Sequence, residues 1–260
     1  MVDSSIELIT HKIMTDSFSF LVIAARFFGA MAIFPVLAAN FFSKILKVLI
    51  ALAFTLIIFP SLNTTEIANA NNIVKFFFIF KEYFVGFVVG FILAIPIWVI
   101  TGTGQFIDNQ RGESMGALLN PMTNVSSSST GSLLVQSFTV YFLSMNGLIF
   151  FAGIIYKSFT LYPASQFLPV VNAHMITNYI NLFAALFTWV VLLAMPVVVL
   201  MFVVEAVLGL LSTFLPQMNV TVLSLPIKSC VGIFILILYM NSLYQFVLIH
   251  FLEKIKGVYV

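Results

Sequence analysis

The chain has 260 residues, 62% of them apolar, 15% aromatic and only 8% charged, with a formal net charge of +2 and a mean hydropathy of +1.14. Soluble globular domains are roughly 45–50% apolar, so this composition excludes one and points to an integral membrane protein or a subunit of a membrane-associated assembly. The net charge and the scattered Lys and Arg exclude a nucleic-acid partner, and a single cysteine, Cys230, excludes an intrachain disulfide and a Cys-based metal site.

The first apolar segment, Phe18–Ala39, follows an amphipathic lead-in in which Ile6, Ile9, Ile13 and Met14 recur at helical spacing. Asp3, Glu7 and Asp16 outnumber Lys12 ahead of it, whereas a secretory n-region is basic, so it reads as retained. Five more segments follow: Ile45–Leu62, Phe76–Ile107, Leu133–Tyr156, Ile180–Leu215 and Ile227–Leu252. All are too long for strands, which makes the fold class all-α, helical and membrane-associated. At about 20 residues per crossing there is room for six or seven spans and for no separate soluble domain.

Two segments exceed a plain crossing. Ile180–Leu215 as one helix is about 54 Å long, against a hydrocarbon core of roughly 30 Å. Pro196 lies near its middle and Pro96 interrupts Phe76–Ile107. Proline removes a backbone donor and clashes one turn back, so helix breaks or kinks are expected at both. Gly86 and Gly90 form a Gly-x-x-x-Gly pair suited to close helix packing. Glu205 sits within an apolar run and needs a partner, with Lys228 and Arg26 as candidates. An interhelical or intersubunit lock is favoured over a proton or ion relay, because relays align several carboxylates and this run has one.

The connections are Asn40–Lys44, Asn63–Lys75, Thr101–Ser132, Lys157–Tyr179 and Pro216–Pro226. Thr101–Ser132 is a polar island containing Asp108, Asn109, Gln110, Arg111 and Gly112, then a Ser/Thr run. Asp108 and Arg111 are three apart and can pair on one helical turn. From composition alone the island is either a solvated loop or a re-entrant, pore-lining one. Gln217 and Asn219 fall in a helix stop after Pro216. If each segment crosses once, Lys44, Lys47, Arg111 and Lys228 lie on one side and Lys12, Lys75, Lys157, Lys254 and Lys256 on the other, so the basic-residue bias orients nothing. Either the segments do not each cross once, or a partner assembly fixes their placement. His11, His174 and His250 are far apart, and no nucleophile, metal or phosphate-binding signature emerges. Neither an enzyme nor a cofactor is expected.

The runs Ile107-Asp108-Asn109-Gln110-Arg111-Gly112, Glu205-Ala206-Val207-Leu208-Gly209-Leu210-Leu211-Ser212, Pro216-Gln217-Met218-Asn219 and Leu225-Pro226-Ile227-Lys228-Ser229 occur in this order. Together they resemble the T subunit of the bacterial type III secretion export apparatus, the SctT, SpaR and EscT family, whose flagellar counterpart is FliR. The Asp-Asn-Gln-Arg-Gly form is more similar to the virulence branch than to the flagellar one.

The resemblance implies one T subunit assembled with five R and four S subunits into a cone-shaped gate, raised out of the plane of the bacterial inner membrane at the base of the secretion machine. U and V subunits, an inner-rod or needle subunit, membrane lipid and the transiting polypeptides are the further partners implied. Residues 1–178 then resemble an R subunit, and residues 179–260 an S-like helical hairpin. The loop 101–132 helps to plug the channel, with Asp108, Asn109, Gln110, Arg111, Gly112, Met115 and Leu118 as its candidate residues. Glu205, Gln217, Asn219 and Lys228 are the candidate polar contacts within or between subunits. The expected function is a non-enzymatic part of the passage for secreted polypeptides. The alternatives are a small-solute secondary transporter using the proline-bearing helices and Glu205, or a purely structural scaffold.

Overall fold

The computed structural model describes residues 2–38, 42–62, 72–113, 128–166, 173–214 and 220–259, and among these there is no strand. The helices are α1 (Val2–Ile33), the short α2 (Pro35–Ala38), α3 (Lys44–Ile58, followed by a 3-10 turn), α4 (Asn72–Arg111), α5 (Ser129–Ser144), α6 (Gly147–Leu161), α7 (Ala173–Phe214) and α8 (Val220–Tyr259). They form two compact units, residues 1–94 with 146–177 and residues 95–145 with 178–258, so α4 contributes to both.

In the first unit α1 is the central element. Val22, Ile23, Phe27 and Ala30 on it, and Phe34 just past its end, are buried. Phe27 stacks on Phe54 of α3 and Phe34 packs against Phe151 of α6, with ring centroids 6.1 and 4.7 Å apart. The backbones of α1 and α4 touch: a Cβ on Gly29 would come within 2.9 Å of the Phe87 nitrogen, and one on Gly86 within 2.8 Å of the Arg26 Cα. Gly90 faces the Ala30 backbone in the same way. Glycine at these positions removes the side chains that would otherwise hold the helices at the usual 8–10 Å.

In the second unit Ile97, Ile100 and Ile107 of α4 are buried with Leu134 and Phe138 of α5, Leu193 and Val197 of α7, and Leu243 and Val247 of α8. Tyr244 of α8 joins α5 through its ring, 5.4 Å from that of Phe138, and through its hydroxyl, which bonds Ser137 Oγ at 2.5 Å and donates to the Leu134 carbonyl at 3.2 Å. A buried tyrosine hydroxyl needs such partners.

Three features depart from the sequence reading. Of the breaks or kinks expected at Pro96 and Pro196, a break does not occur at either: both prolines lie inside continuous helices, as does Pro226 in α8. One missing backbone hydrogen bond is a small loss in a helix of 40 or more residues, and membrane helices tolerate it where neighbours adjust. The expected single segment Leu133–Tyr156 is instead two helices, separated at Met145-Asn146 where Asn146 has φ +58°. Asparagine tolerates this left-handed conformation, and Asn146-Gly147 is a turn dipeptide. Finally, against room for six or seven spans, three helices among the described residues are long and apolar enough to cross a membrane, within α4, α7 and α8, with α5 and α6 as a bent pair.

Candidate functional site

Asp108, Arg111, Ser128 and Thr130 of the 101–132 island meet in the second unit, where α4 ends and α5 begins. Thr101–Arg111, read from sequence as part of a connection, is the last three turns of α4. Asp108 is 2% exposed. Its Oδ2 accepts a hydrogen bond from the Thr130 backbone N–H at 2.8 Å and another from the Ser128 hydroxyl. A carboxylate there satisfies a helix N-terminal amide that has no partner within α5, and it opposes the positive end of the helix dipole. Ser128 is also the N-cap of α5, its Oγ accepting from the Gly131 N–H at 2.8 Å.

Arg111, one turn beyond Asp108, closes the cluster. Its Nη1 lies 3.1 Å from Asp108 Oδ1 and donates to Thr130 Oγ1 at 2.6 Å. Asp108 Oδ1 therefore has an ion contact without aligned hydrogen-bond geometry, and Arg111 Nε is buried with no acceptor among the described residues. Glu113 Oε1 adds a bond from the Ser129 N–H at 3.3 Å. Gly112 ends the helix at φ +88°, with its N–H on the Asn109 carbonyl at 3.2 Å. The left-handed conformation favours glycine, and a Cβ at this position would also approach Leu225 Cδ2 to 2.6 Å. Two turns earlier, Gly104 lies against the backbone of Gly131, so α4 and α5 are in direct contact.

The result is a clasp that joins the chain immediately before and after residues 114–127. Asp108, Arg111 and Gly112 are its parts, while Asn109 is exposed and Gln110 half-buried beside it. Met115 and Leu118 lie outside the described residues, as do Gln217 and Asn219. Ser128 and Thr130 are parts of the clasp that sequence reasoning left within an undivided Ser/Thr run. The available signal was their position immediately ahead of an apolar helix, the usual place for a cap.

The second polar pair lies in the same unit, between α7 and α8. Lys228 Nζ donates to Glu205 Oε2 at 3.1 Å, with the lysine side chain 7% exposed and the glutamate 48%. Of the two partners considered for Glu205, the structure selects Lys228.

Arg26 is engaged in the first unit, in a cluster the sequence reading missed. Arg26 and Glu82 are both fully buried, with Arg26 Nε 2.5 Å from Glu82 Oε2. Arg26 also donates to Ser158 Oγ at 3.1 Å and to the Tyr162 carbonyl at 2.7 Å, and its guanidinium lies 3.8 Å from the centre of the Phe159 ring. Lys81 bridges Glu82 Oε1 at 2.6 Å to the carbonyls of Pro163, Ala164 and Gln166 at 2.9 to 3.3 Å, covering the chain that follows α6. The signal was a lone arginine in an apolar helix, which demands a partner. The 56 residues separating Arg26 from Glu82 concealed which one.

These arrangements define a helical, membrane-embedded protein whose polar groups tie its helices together. The chain belongs to the family described as bacterial export proteins, family 1, which it matches over residues 17–253; this is the family of the type III secretion T subunits and their flagellar counterpart. It is a family of export proteins and not a known enzyme family. Among its relatives are Yop proteins translocation protein T of Yersinia pestis, 29% identical over 89% of each chain, and the surface presentation of antigens protein SpaR of Shigella flexneri, 34% identical over 65% of this chain and 64% of the relative. The flagellar biosynthetic protein FliR of Bacillus subtilis is 31% identical over 64% of each.

Proposed function

We propose that the chain is the T subunit of a type III secretion export gate in the bacterial inner membrane. With R and S subunits it forms the passage for secreted polypeptides, and the segment between Gly112 and Ser128 helps to close that passage. The observation that carries this reading is the clasp. A segment that closes a passage must be held firmly at its base, and Asp108, Arg111, Ser128 and Thr130 tie together the residues on either side of 114–127. Asn109 and Gln110, uncharged and outside the clasp, suit a lumen through which chains of many sequences pass without being recognised.

The long helices support the assembly. α7 has 42 residues, about 63 Å of helix, twice the roughly 30 Å of a hydrocarbon core. It exposes apolar side chains from Ile180 and Phe187 to Leu210 and Phe214. A bilayer covers only part of such a surface, and neighbouring R and S subunits, five and four per gate, cover the rest. Residues 1–178 take the place of an R subunit in this arrangement, and residues 179–260, with the Glu205–Lys228 pair inside, form the S-like hairpin. U, V and inner-rod or needle subunits are the further neighbours. The subunit is non-enzymatic, and energy coupling belongs to its partners. Small-solute transport through Glu205 is the weaker reading, because that carboxylate is tied to Lys228.

The test is to shorten the segment between residues 116 and 125 while keeping residues 108–113 and 128–131. The gate is expected to assemble and the membrane to leak ions and small molecules. An assembled gate with a tight membrane refutes the closing role, and full secretion through it leaves the chain a scaffold.

A further inference from the structure

The first turns of α8 reach the clasp through Leu225. Gly112, where α4 ends, carries no side chain, and a Cβ placed on it would stand 2.6 Å from Leu225 Cδ2 and 3.9 Å from Leu225 Cγ. Carbon atoms in contact lie about 3.5–4.0 Å apart, so the Leu225 methyl occupies the space that a side chain at position 112 would fill. Two independent requirements therefore meet at Gly112: its φ of +88° favours glycine, and the space beside it is already taken.

The polar bonds of the clasp join α4 to α5. Asp108 and Arg111 hold the last turn of α4 to the start of α5, and Gly112 then turns the chain, with its N–H on the Asn109 carbonyl. Leu225 adds a contact from a third helix at the residue where the chain leaves α4. Almost one turn further along α8, the buried Lys228 donates to Glu205 Oε2 of α7 at 3.1 Å. Leu225 and Lys228 belong to one continuous helix, so the ion pair that fixes α8 against α7 also fixes where the Leu225 side chain stands. Leucine acts here by shape: shortening it to alanine withdraws the methyls and leaves a gap beside Gly112.

We propose that Leu225 is a positioning residue for the closing segment, buttressing from α8 the glycine at which that segment begins. The proposal rests on the reading of residues 114–127 as closing the passage, and it adds the helix that sets where they start.

The experiment measures dye leak from vesicles containing the purified, fully assembled gate, expressed per assembled complex. Leu225→Ala is expected to raise the leak about tenfold. Leu225→Met keeps the reach of the side chain and is expected to stay within about twofold of the unaltered gate. Gly112→Ala displaces the Leu225 methyl, so in that background the contact is already lost. Adding Leu225→Ala to Gly112→Ala is therefore expected to raise the leak no further, whereas two independent effects would multiply. A multiplied leak in the double variant, or a tight gate with Leu225→Ala, overturns the proposal. Asp108→Ala separates the two levels of the reading. If it leaks while Leu225→Ala is tight, the role of Leu225 alone fails; if both are tight, the closing role of the segment fails with it. A photo-crosslinking residue at position 225 of the otherwise unaltered chain reads the contact without reference to leak. Crosslinks within the chain to residues 108–113 are expected, and crosslinks to lipid or to other subunits alone contradict the proposal.

Discussion

Substituting Asp108 tests the clasp at the atom on which it converges. Asp108→Ala removes the acceptor for the Thr130 N–H and the Ser128 hydroxyl and leaves Arg111 without its counter-charge. Hydrogen bonds to a charged group contribute about 1.5–3 kcal/mol each, and bonds in one network do not add fully, so a loss of about 3 kcal/mol is a fair figure. At about 1.4 kcal/mol per tenfold, the balance between closed and open clasp shifts by roughly 100-fold. Asp108→Asn keeps the shape and one acceptor oxygen, and its shift is about tenfold. The assay is the leak of a small dye or of ions from vesicles containing the purified, fully assembled gate. Leak is expected to rise in the order unaltered, Asn, Ala. Equal, low leak in all three, with assembly intact, would falsify the view that the clasp holds the closing segment.

Other substitutions probe the elements that support the clasp and the first unit. Thr130→Val removes the Arg111 bond and is expected to raise the leak modestly, while Thr130→Ser keeps the hydroxyl and should match the unaltered gate in the same dye assay. Glu82→Ala leaves Arg26 buried without its carboxylate and should cost about 3–5 kcal/mol, read as a lower thermal midpoint of the detergent-solubilised protein. Replacing both residues, Arg26→Met with Glu82→Leu, should recover most of that loss. Gly86→Leu drives a side chain into the Arg26 backbone and should abolish accumulation of the folded chain, whereas Gly153→Ala meets no neighbouring atom within 4 Å and should accumulate normally on membrane immunoblots.

Much of the helical plan was readable because apolar runs without alternation, longer than strands, allow only helices in a membrane. The Asp108–Arg111 pair was readable from its three-residue spacing, since α4 carries both residues on one turn. What the sequence concealed was that α4 continues to Arg111: Thr101 and Thr103 turn their hydroxyls onto the carbonyls of Ile97 and Val99 one turn back, so polar residues extend the helix instead of ending it. The role of Ser128 and Thr130 depends on α5 lying against Gly104, a contact distant in sequence. The Arg26 cluster was hidden for the same reason, its members coming from α1, α4 and α6. At Pro96 and Pro196 the helices run on without a break, as membrane helices can where neighbours adjust.

The central claim is that this chain works as one subunit of a mixed gate. The most direct test is the native mass of the complex purified through a tag on this chain from the membrane of its own bacterium. The account predicts one copy of this chain with several copies of each of two other membrane subunits. A mass equal to this chain alone, or to a whole-number multiple of it, contradicts the account.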